Sequence, residues 1–283
     1  MIICKTKQAL QKVLQSQNNP ISIGFVPTMG ALHNGHLALI DASKKAGNYT
    51  VSSIFVNPTQ FNNKEDFEKY PISIEADINL LIQHQCDVLF LPTVAEMYPD
   101  GPQIPHHYPL DYLEQILEGE YRPGHFQGVC YIVEQLLKLV NPTHLYMGSK
   151  DYQQCMVIQF LLQYNQQLSN IQLHIEPTVR EANGLAMSSR NRRLSIENFN
   201  KAATLFQTLV FIKQNISQYT LDALINMAKT KLIEGGFEKV DYISIADAHT
   251  LKPIEQFNPQ QPAIVLAAAF LQNVRLIDNL PLN

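Results

Sequence analysis

His33 and His36 stand three residues apart in the string Pro27-Thr28-Met29-Gly30-Ala31-Leu32-His33-Asn34-Gly35-His36. An imidazole N–H can donate to a phosphate oxygen, and residues at this spacing share one side of an entering helix. The apolar run 21–26 before the string reads as a buried strand, and Leu37-Ala38-Leu39-Ile40 after it begins a helical run. Strand, glycine-containing turn and helix start are the parts of a phosphate site, in which backbone amides and a helix N-terminus face the anion. Gly30 and Gly35 let the backbone approach it closely. As a zinc pair the histidines lack an adjacent carboxylate or third ligand. Neither Gly-x4-Gly-Lys-Ser/Thr nor Gly-x-Gly-x-x-Gly occurs, so the histidine turn is the strongest nucleotide candidate.

Four further groups have chemistry to offer. Met187-Ser188-Ser189-Arg190 sets two hydroxyls beside a guanidinium, which together can grip a polyphosphate; an ordinary helix-capping turn is the competing reading. In Gly148-Ser149-Lys150-Asp151, Lys150 can neutralise an α-phosphate or be a solvated amine, and Asp151 can hold Mg²⁺ or cap the following helix. Asn57 and Gln60 at one turn, with Gln153 and Gln154 at another, are neutral amides suited to a small polyol acid. In a chain this rich in Asn and Gln, plain surface amides are the competing reading. Arg122, His125 and Phe126 in a Pro-Gly loop either cover an anionic ligand or form a simple turn. The pair His106-His107 reads as solvent-exposed, and Cys86 and Cys155 as core.

The elements that must position these residues follow a clear rhythm. A helix over 6–17 with Thr6 as N-cap precedes strand 21–26, helix 36–46, strand 49–56, a polar loop to Tyr70, a helix opened by Ser73, and strand 87–91. Alternating strands and helices imply an α/β fold: a Rossmann-like parallel sheet with helices on both faces. Ligands then sit beyond the strand C-termini, where the 27–36 and 57–60 turns share a rim. A short helix over 112–117, a turn-rich loop over 120–126, a helical stripe from Val129 to Val140, strand 144–147 and strand 171–175 complete a first domain of residues 1–180. Residues 181–283 lack the βαβ rhythm. Helices over 196–213 and 221–234, then strands near 240–246, 263–270 and 274–278, predict a smaller C-terminal α+β domain.

Totals narrow the function. The chain has 283 residues and a formal net charge of −4, without the clustered Lys and Arg of a nucleic-acid footprint. No run reaches the ~18 apolar residues of a membrane span, and no apolar signal-peptide region is visible. Four scattered cysteines without a Cys-x-x-Cys pair fit a reduced, cytoplasmic setting.

His33-Asn34-Gly35-His36 resembles the His-x-Gly-His signature of the nucleotidylyltransferase superfamily, shared with class I aminoacyl-tRNA synthetases. Val26 to His33, Ser53-Ile54-Phe55-Val56-Asn57-Pro58-Thr59-Gln60-Phe61, Arg122-Pro123-Gly124-His125-Phe126, Ser188-Ser189-Arg190-Asn191 and Val274-Arg275-Leu276-Ile277-Asp278-Asn279 together resemble the pantothenate synthetases, over nearly the whole chain. Ser149 and Gln127 depart from the family's pattern, and both departures bear on nucleotide affinity. The resemblance implies a two-step ligase. Pantoate's carboxylate attacks the α-phosphate of ATP, and the β-alanine amine then attacks the acyl adenylate, giving pantothenate and AMP. It implies that Met29, Gly30, Ala31, Leu32, His33, Asn34, Gly35 and His36 line ATP, with His36 either a proton donor or a charge stabiliser. Lys150, beside Gly148, Ser149 and Asp151, meets the α-phosphate. Met187, Ser188, Ser189 and Arg190 hold the β/γ end, and Val179 packs near adenine. Gln60 and Gln154 hold pantoate with Asn57 nearby. Mg²⁺ is expected near Asp151, with Asp77 a second candidate, and the second domain is expected to act as a lid in a homodimer. A nucleotidylyltransferase, an aminoacyl-tRNA synthetase and a non-catalytic nucleotide sensor are the rival readings. The second of these lacks a basic anticodon domain after Arg190.

Overall fold

A computed structural model describes residues 1–17, 22–62 and 64–283, which form two units. Met1–Gly148 and Gln154–Pro177 make the first; Ser149–Gln153 and Thr178–Asn283 make the second. The start of the expected strand at Ile21 lies outside the described residues.

In the first unit β1 (Ile2–Cys4), α1 (Lys7–Gln15), β2 (Ile23–Thr28), α2 (Asn34–Lys45) and β3 (Tyr49–Ile54) come first. Then follow α3 (Lys64–Glu68), α4 (Ile74–Gln83), β4 (Val88–Phe90), α5 (Val94–Met97), α6 (Tyr112–Gln115), α7 (Leu117–Tyr121), α8 (His125–Val140), β5 (His144–Gly148), α9 (Tyr152–Tyr164) and β6 (Gln172–Glu176). The sheet order is β1-β4-β3-β2-β5-β6, with every pairing parallel. From β2 the order runs outward through β3 and β4 on one side and β5 and β6 on the other, with β1 at the β4 edge, so right-handed crossovers carry the connecting helices to opposite faces. Strands covered on both faces must be apolar throughout. Phe25, Val26, Val51, Val88, Leu89 and Phe90 are accordingly fully buried, each contributing ~1.5–3 kcal/mol. Two polar residues of β3 are satisfied internally: the Thr50 hydroxyl pairs with that of Ser43 at 2.8 Å, and the Ser52 hydroxyl donates to the Val26 carbonyl at 2.9 Å.

Several expectations shift. β1 is too short for a periodicity to reveal it. The stretch read as a loop up to Tyr70 holds a 3₁₀ turn, Pro58–Gln60, and α3. The 120–126 loop is largely helical, since α7 ends at Tyr121 and α8 begins at His125.

The second unit holds a 3₁₀ turn (Ser189–Arg193), α10 (Ile196–Ala202), α11 (Thr204–Asn215), α12 (Leu221–Glu234), β7 (Lys239–Asp247), β8 (Ala263–Leu271) and β9 (Val274–Pro281). The strands form an antiparallel meander, β7-β8-β9. Leu205, Leu209, Ile212, Leu224 and Leu232 share one core with Val265, Ala267 and Ala269 of β8. The segment 196–213, expected as one helix, breaks at Ala203. The Phe199 carbonyl accepts from Asn183 Nδ2 at 3.2 Å, and the Ala203 N–H turns back to Asn200 O at 3.3 Å. Among the described residues no helix is long and apolar enough to cross a membrane.

The Pro-rich segment before α6 is tied down by polar groups on α8. Gln127 grips the Tyr108 main chain from both sides, accepting its N–H at 2.8 Å and donating to its carbonyl at 3.0 Å, and also donates to Glu114 at 2.9 Å. This accounts for Gln127, because an arginine there could not accept the Tyr108 N–H. The buried Tyr108 hydroxyl donates to Glu134, which also accepts from Asn165 and Lys138. Burial pushes the Glu134 carboxyl up, but the Tyr108, Lys138 and Asn165 donors prevail and hold it below its ordinary value. A depressed carboxyl contributes stability above its unfolded pKa and loses it as pH falls through the folded one. Glu134→Gln should therefore cost about 1–3 kcal/mol at neutral pH. Urea unfolding at stepped pH should show the gap from wild type closing below the ordinary glutamate range; a gap independent of pH would contradict this account.

Candidate active site

The site in the first unit begins where β2 ends. Thr28 donates its hydroxyl to Ser53 O at 2.7 Å and accepts the Gly30 N–H at 3.2 Å. Gly30 (φ +83°) and Ala31 (φ +49°) then carry the chain through left-handed conformations. Glycine does so freely, whereas alanine there costs roughly 1–2 kcal/mol. Asp77 from α4 offsets that cost. Its Oδ2 accepts Ala31 N–H at 2.8 Å and its Oδ1 accepts Leu32 N–H at 2.9 Å. The Ser73 hydroxyl adds a bond to Oδ1 at 3.0 Å instead of capping α4. Asp77 is 1% exposed. An apolar cavity of roughly 230 Å³, walled by Ile54, Phe55, Val56, Leu91 and Pro92, lies on its side of the turn. Asp77, expected as a second Mg²⁺ candidate, has each of its oxygens on a backbone amide of this turn.

α2 starts with a reciprocal imidazole cap. His33 is the N-cap, and its Nδ1 accepts the Gly35 N–H at 3.1 Å. His36 Nδ1 accepts the His33 N–H over a longer 3.4 Å. The ring centroids are 4.1 Å apart. A backbone N–H can only donate, so each neutral ring carries its proton on Nε2. Full protonation would turn an N–H against another N–H and break the cap. The amides of Gly30, Ala31, Leu32, His33 and Gly35 all donate to protein acceptors. Imidazole N–H groups, more than these amides, are what this turn can offer an anion.

The neighbouring rim carries the carboxamides. Gln60 is 8% exposed, its Nε2 2.8 Å from Met29 Sδ, so the two turns meet as expected. Asn57 is wholly engaged. Its Oδ1 accepts from Tyr98 at 2.5 Å and from Thr59 at 3.1 Å, and its Nδ2 donates to Gly128 O and Gln60 Oε1 at 3.1 and 3.2 Å. It positions Gln60 and has no donor to spare for a ligand. The close approach requires Gly128, where a Cβ would sit 2.3 Å from Thr59 O. His125, buried, has Nδ1 2.8 Å from the Gln60 carbonyl, Phe126 is core, and Arg122 pairs with Glu118 at 3.6 Å. Gln154 is half-buried in the first turn of α9. Cys86 and Cys155 are buried, as read, and His106 and His107 are exposed.

The second unit holds the other candidates. Lys150 Nζ lies 3.7 Å from Asp151 Oδ1, in a 3₁₀ turn over Ser149–Asp151. The Ser149 hydroxyl pairs with Thr178 at 3.0 Å, a contact within the fold that its departure from the family pattern permits. Met187 N–H donates to Val179 O at 3.0 Å, closing the hairpin that leads to Ser188. Ser188 Oγ accepts the Arg190 N–H at 3.2 Å and caps the 3₁₀ turn, so the capping reading holds for it. Ser189 is 7% exposed, and Arg190 is half-buried. No group of three metal-ligating side chains occurs among the described residues. Sequence reasoning missed Thr28, Tyr98 and Gly128, whose bonds to the turns are invisible to periodicity.

A parallel sheet whose central strand hands the chain to an imidazole-capped helix defines a nucleotide-binding α/β enzyme of the His-x-Gly-His class. The chain matches the family model described as Pantoate-beta-alanine ligase over residues 2–281, and it belongs to that family. The pantothenate synthetase of Cytophaga hutchinsonii is 44% identical over 92% of this chain and 91% of its own. That of Coprothermobacter proteolyticus is 41% identical over 99% and 98%. The crystal structure of pantothenate synthetase from Thermus thermophilus aligns with a TM-score of 0.90 at 36% identity, covering 100% of this chain and 99% of that one. The Francisella tularensis pantoate-beta-alanine ligase, complexed with beta-gamma ATP and beta-alanine, aligns with a TM-score of 0.82 at 36% identity, over 99% and 97%.

If Asp77 anchors the turn, Asp77→Asn sets an NH₂ against a backbone N–H and should cost about 1–3 kcal/mol of stability. Calorimetry should then show ATP binding weakened by the same factor with and without Mg²⁺. Weakening confined to the Mg²⁺ form would restore the metal role.

Proposed function

We infer that this ligase condenses pantoate with β-alanine at the expense of ATP, through pantoyl adenylate, and releases pyrophosphate and AMP. The observation that carries the reading is the imidazole cap at His33 and His36 in a chain that matches the family from residue 2 to residue 281. The named relatives and the Francisella complex with a nucleotide and β-alanine support it.

In-line attack at the α-phosphate builds charge on its oxygens and on the departing pyrophosphate, and positioned donors must meet that charge. His33 and His36 present Nε2–H to the phosphates as neutral donors. With Nδ1 committed to the backbone, His36 acts by charge stabilisation rather than proton transfer. Met29 through Leu32, with Asn34 and Gly35, line the nucleotide. Lys150 serves the α-phosphate, and Ser188, Ser189 and Arg190 serve the β/γ end, with Gly148, Ser149 and Met187 as their flanks and Val179 beside adenine. Gln60 and Gln154 hold pantoate, with Asn57 orienting Gln60. Mg²⁺ would enter with the nucleotide and neutralise phosphate charge; Asp151, half exposed, fits a metal that takes one or two carboxylates and otherwise phosphate oxygens. The second unit serves as the lid that keeps water from the acyl adenylate. A homodimer in the cytosol completes the proposal, and four free, buried cysteines suit a reducing compartment.

The test supplies ATP, Mg²⁺, pantoate and β-alanine. AMP and pyrophosphate should form, and pantoate alone should give at most a stoichiometric pyrophosphate burst. ADP as product would overturn the adenylate route. His36→Ala should slow the burst about a hundredfold or more, as loss of one transition-state donor does; a wild-type burst would overturn its role.

A further inference from the structure

The closing motif Asp278-Asn279 has no part in the chemistry above, yet it bonds to two other segments of the second unit, at Arg180 and at Ser149-Lys150. Both residues are buried near the end of β9. Asp278 accepts a bidentate pair from Arg180 at 2.6 and 3.0 Å. Burial pushes the Asp278 carboxyl up, and the guanidinium, the Asn279 amide and the Lys150 charge pull against that push. Arg180 also donates to Gly184 O at 3.1 Å and lies 3.7 Å over the Phe206 ring. It thereby fixes the hairpin that leads to Ser188, in which Arg180 itself bridges Ala186.

Asn279 is held by the same pair. Its N–H donates to Asp278 Oδ1 at 2.8 Å, and its carbonyl accepts from Arg180 at 3.3 Å. Its side chain points to the other candidate cation. Asn279 Nδ2 donates to the carbonyls of both Ser149 and Lys150, at 2.8 and 2.9 Å. Both amide protons are spent on successive carbonyls of one turn, which fixes that turn's orientation and with it the root of the Lys150 side chain. These bonds lie within the second unit, with which Ser149–Gln153 group.

We propose that Asn279 is the positioning residue for Lys150, and that the Arg180–Asp278 pair ties this seat to the hairpin carrying Ser188, Ser189 and Arg190. The inference rests on the assignment of Lys150 to the α-phosphate. It makes the phosphate-facing cations of the second unit one rigid set built on β9.

The experiment is a double-mutant cycle on single-turnover adenylate formation, with Lys150→Ala, Asn279→Ala and the pair. Lys150→Ala should slow the step about a hundredfold, as loss of a phosphate-facing group does. Asn279→Ala should slow it about ten- to a hundredfold, the range that ~1 Å of misplacement produces. Amide formation from preformed pantoyl adenylate should keep its KM for β-alanine and its rate within about twofold. In the Lys150→Ala background Asn279→Ala should add almost nothing, as for groups acting through one another. Asn279→Asp, equal in size but without donors, should reproduce the defect and replaces Asn279→Ala in the cycle if that variant fails to fold. Equal slowing of both half-reactions, or full multiplication in the double variant, overturns the positioning role while Lys150 keeps its place. No effect from Lys150→Ala overturns the phosphate reading, and the seat with it.

Discussion

The leading amides of α2 are satisfied by imidazole nitrogens, and the rest of the site depends on that constraint. A helix start leaves its first N–H groups without intrahelical partners. Serine or aspartate is the usual cap, and either would end the matter at the backbone. A histidine cap has a second nitrogen. With Nδ1 on the Gly35 and His33 amides, each ring must present its proton on the opposite edge. The cap therefore sets the tautomer and the orientation of the donors in one step. Asp77 does the preceding work, holding a left-handed alanine so that β2 delivers the histidines at this angle.

Several buried polar side chains in this protein are engaged entirely by the fold. Asn57 spends every polar atom on Tyr98, Thr59, Gly128 and Gln60. Asp77 spends both oxygens on amides, and in the second unit Asp278 spends its own on Arg180 and Asn279. Each is a buried polar side chain with all its partners supplied by the fold, the condition under which such groups rigidify their surroundings. Transition-state donors gain from this arrangement because they need no reorganisation at the moment of reaction.

What could be read in advance was local. The strand–glycine–histidine–helix string spells its own geometry, and Thr6 caps α1 as its type and place suggest. The parallel sheet followed from the spacing of apolar runs, and a separate α+β part from the loss of that spacing after residue 180. What could not be read were partners distant in the chain. Asp77 lies 46 residues from Ala31, and Asp278 lies 98 from Arg180. No periodicity links them, so Asp77 looked like a metal ligand and Lys150 like a member of the first domain. The break at Ala203 was hidden for the same reason, since the group that takes the Phe199 carbonyl belongs to Asn183. Gln127 and Ser149 looked like changes in nucleotide affinity, and their contacts are with the fold.

His33 and His36 cap the helix through Nδ1, which leaves Nε2–H as the donor of each ring. Long-range ¹H–¹⁵N correlation of the ring nitrogens, with assignment from His33→Gln and His36→Gln variants, tests it most directly. Both rings should carry the Nε2–H tautomer at neutral pH, with the Nε2 resonances moving when a non-hydrolysable ATP analogue is added and the Nδ1 resonances staying near their apo positions. A proton on Nδ1 of either ring, or Nε2 resonances indifferent to the nucleotide, would contradict it.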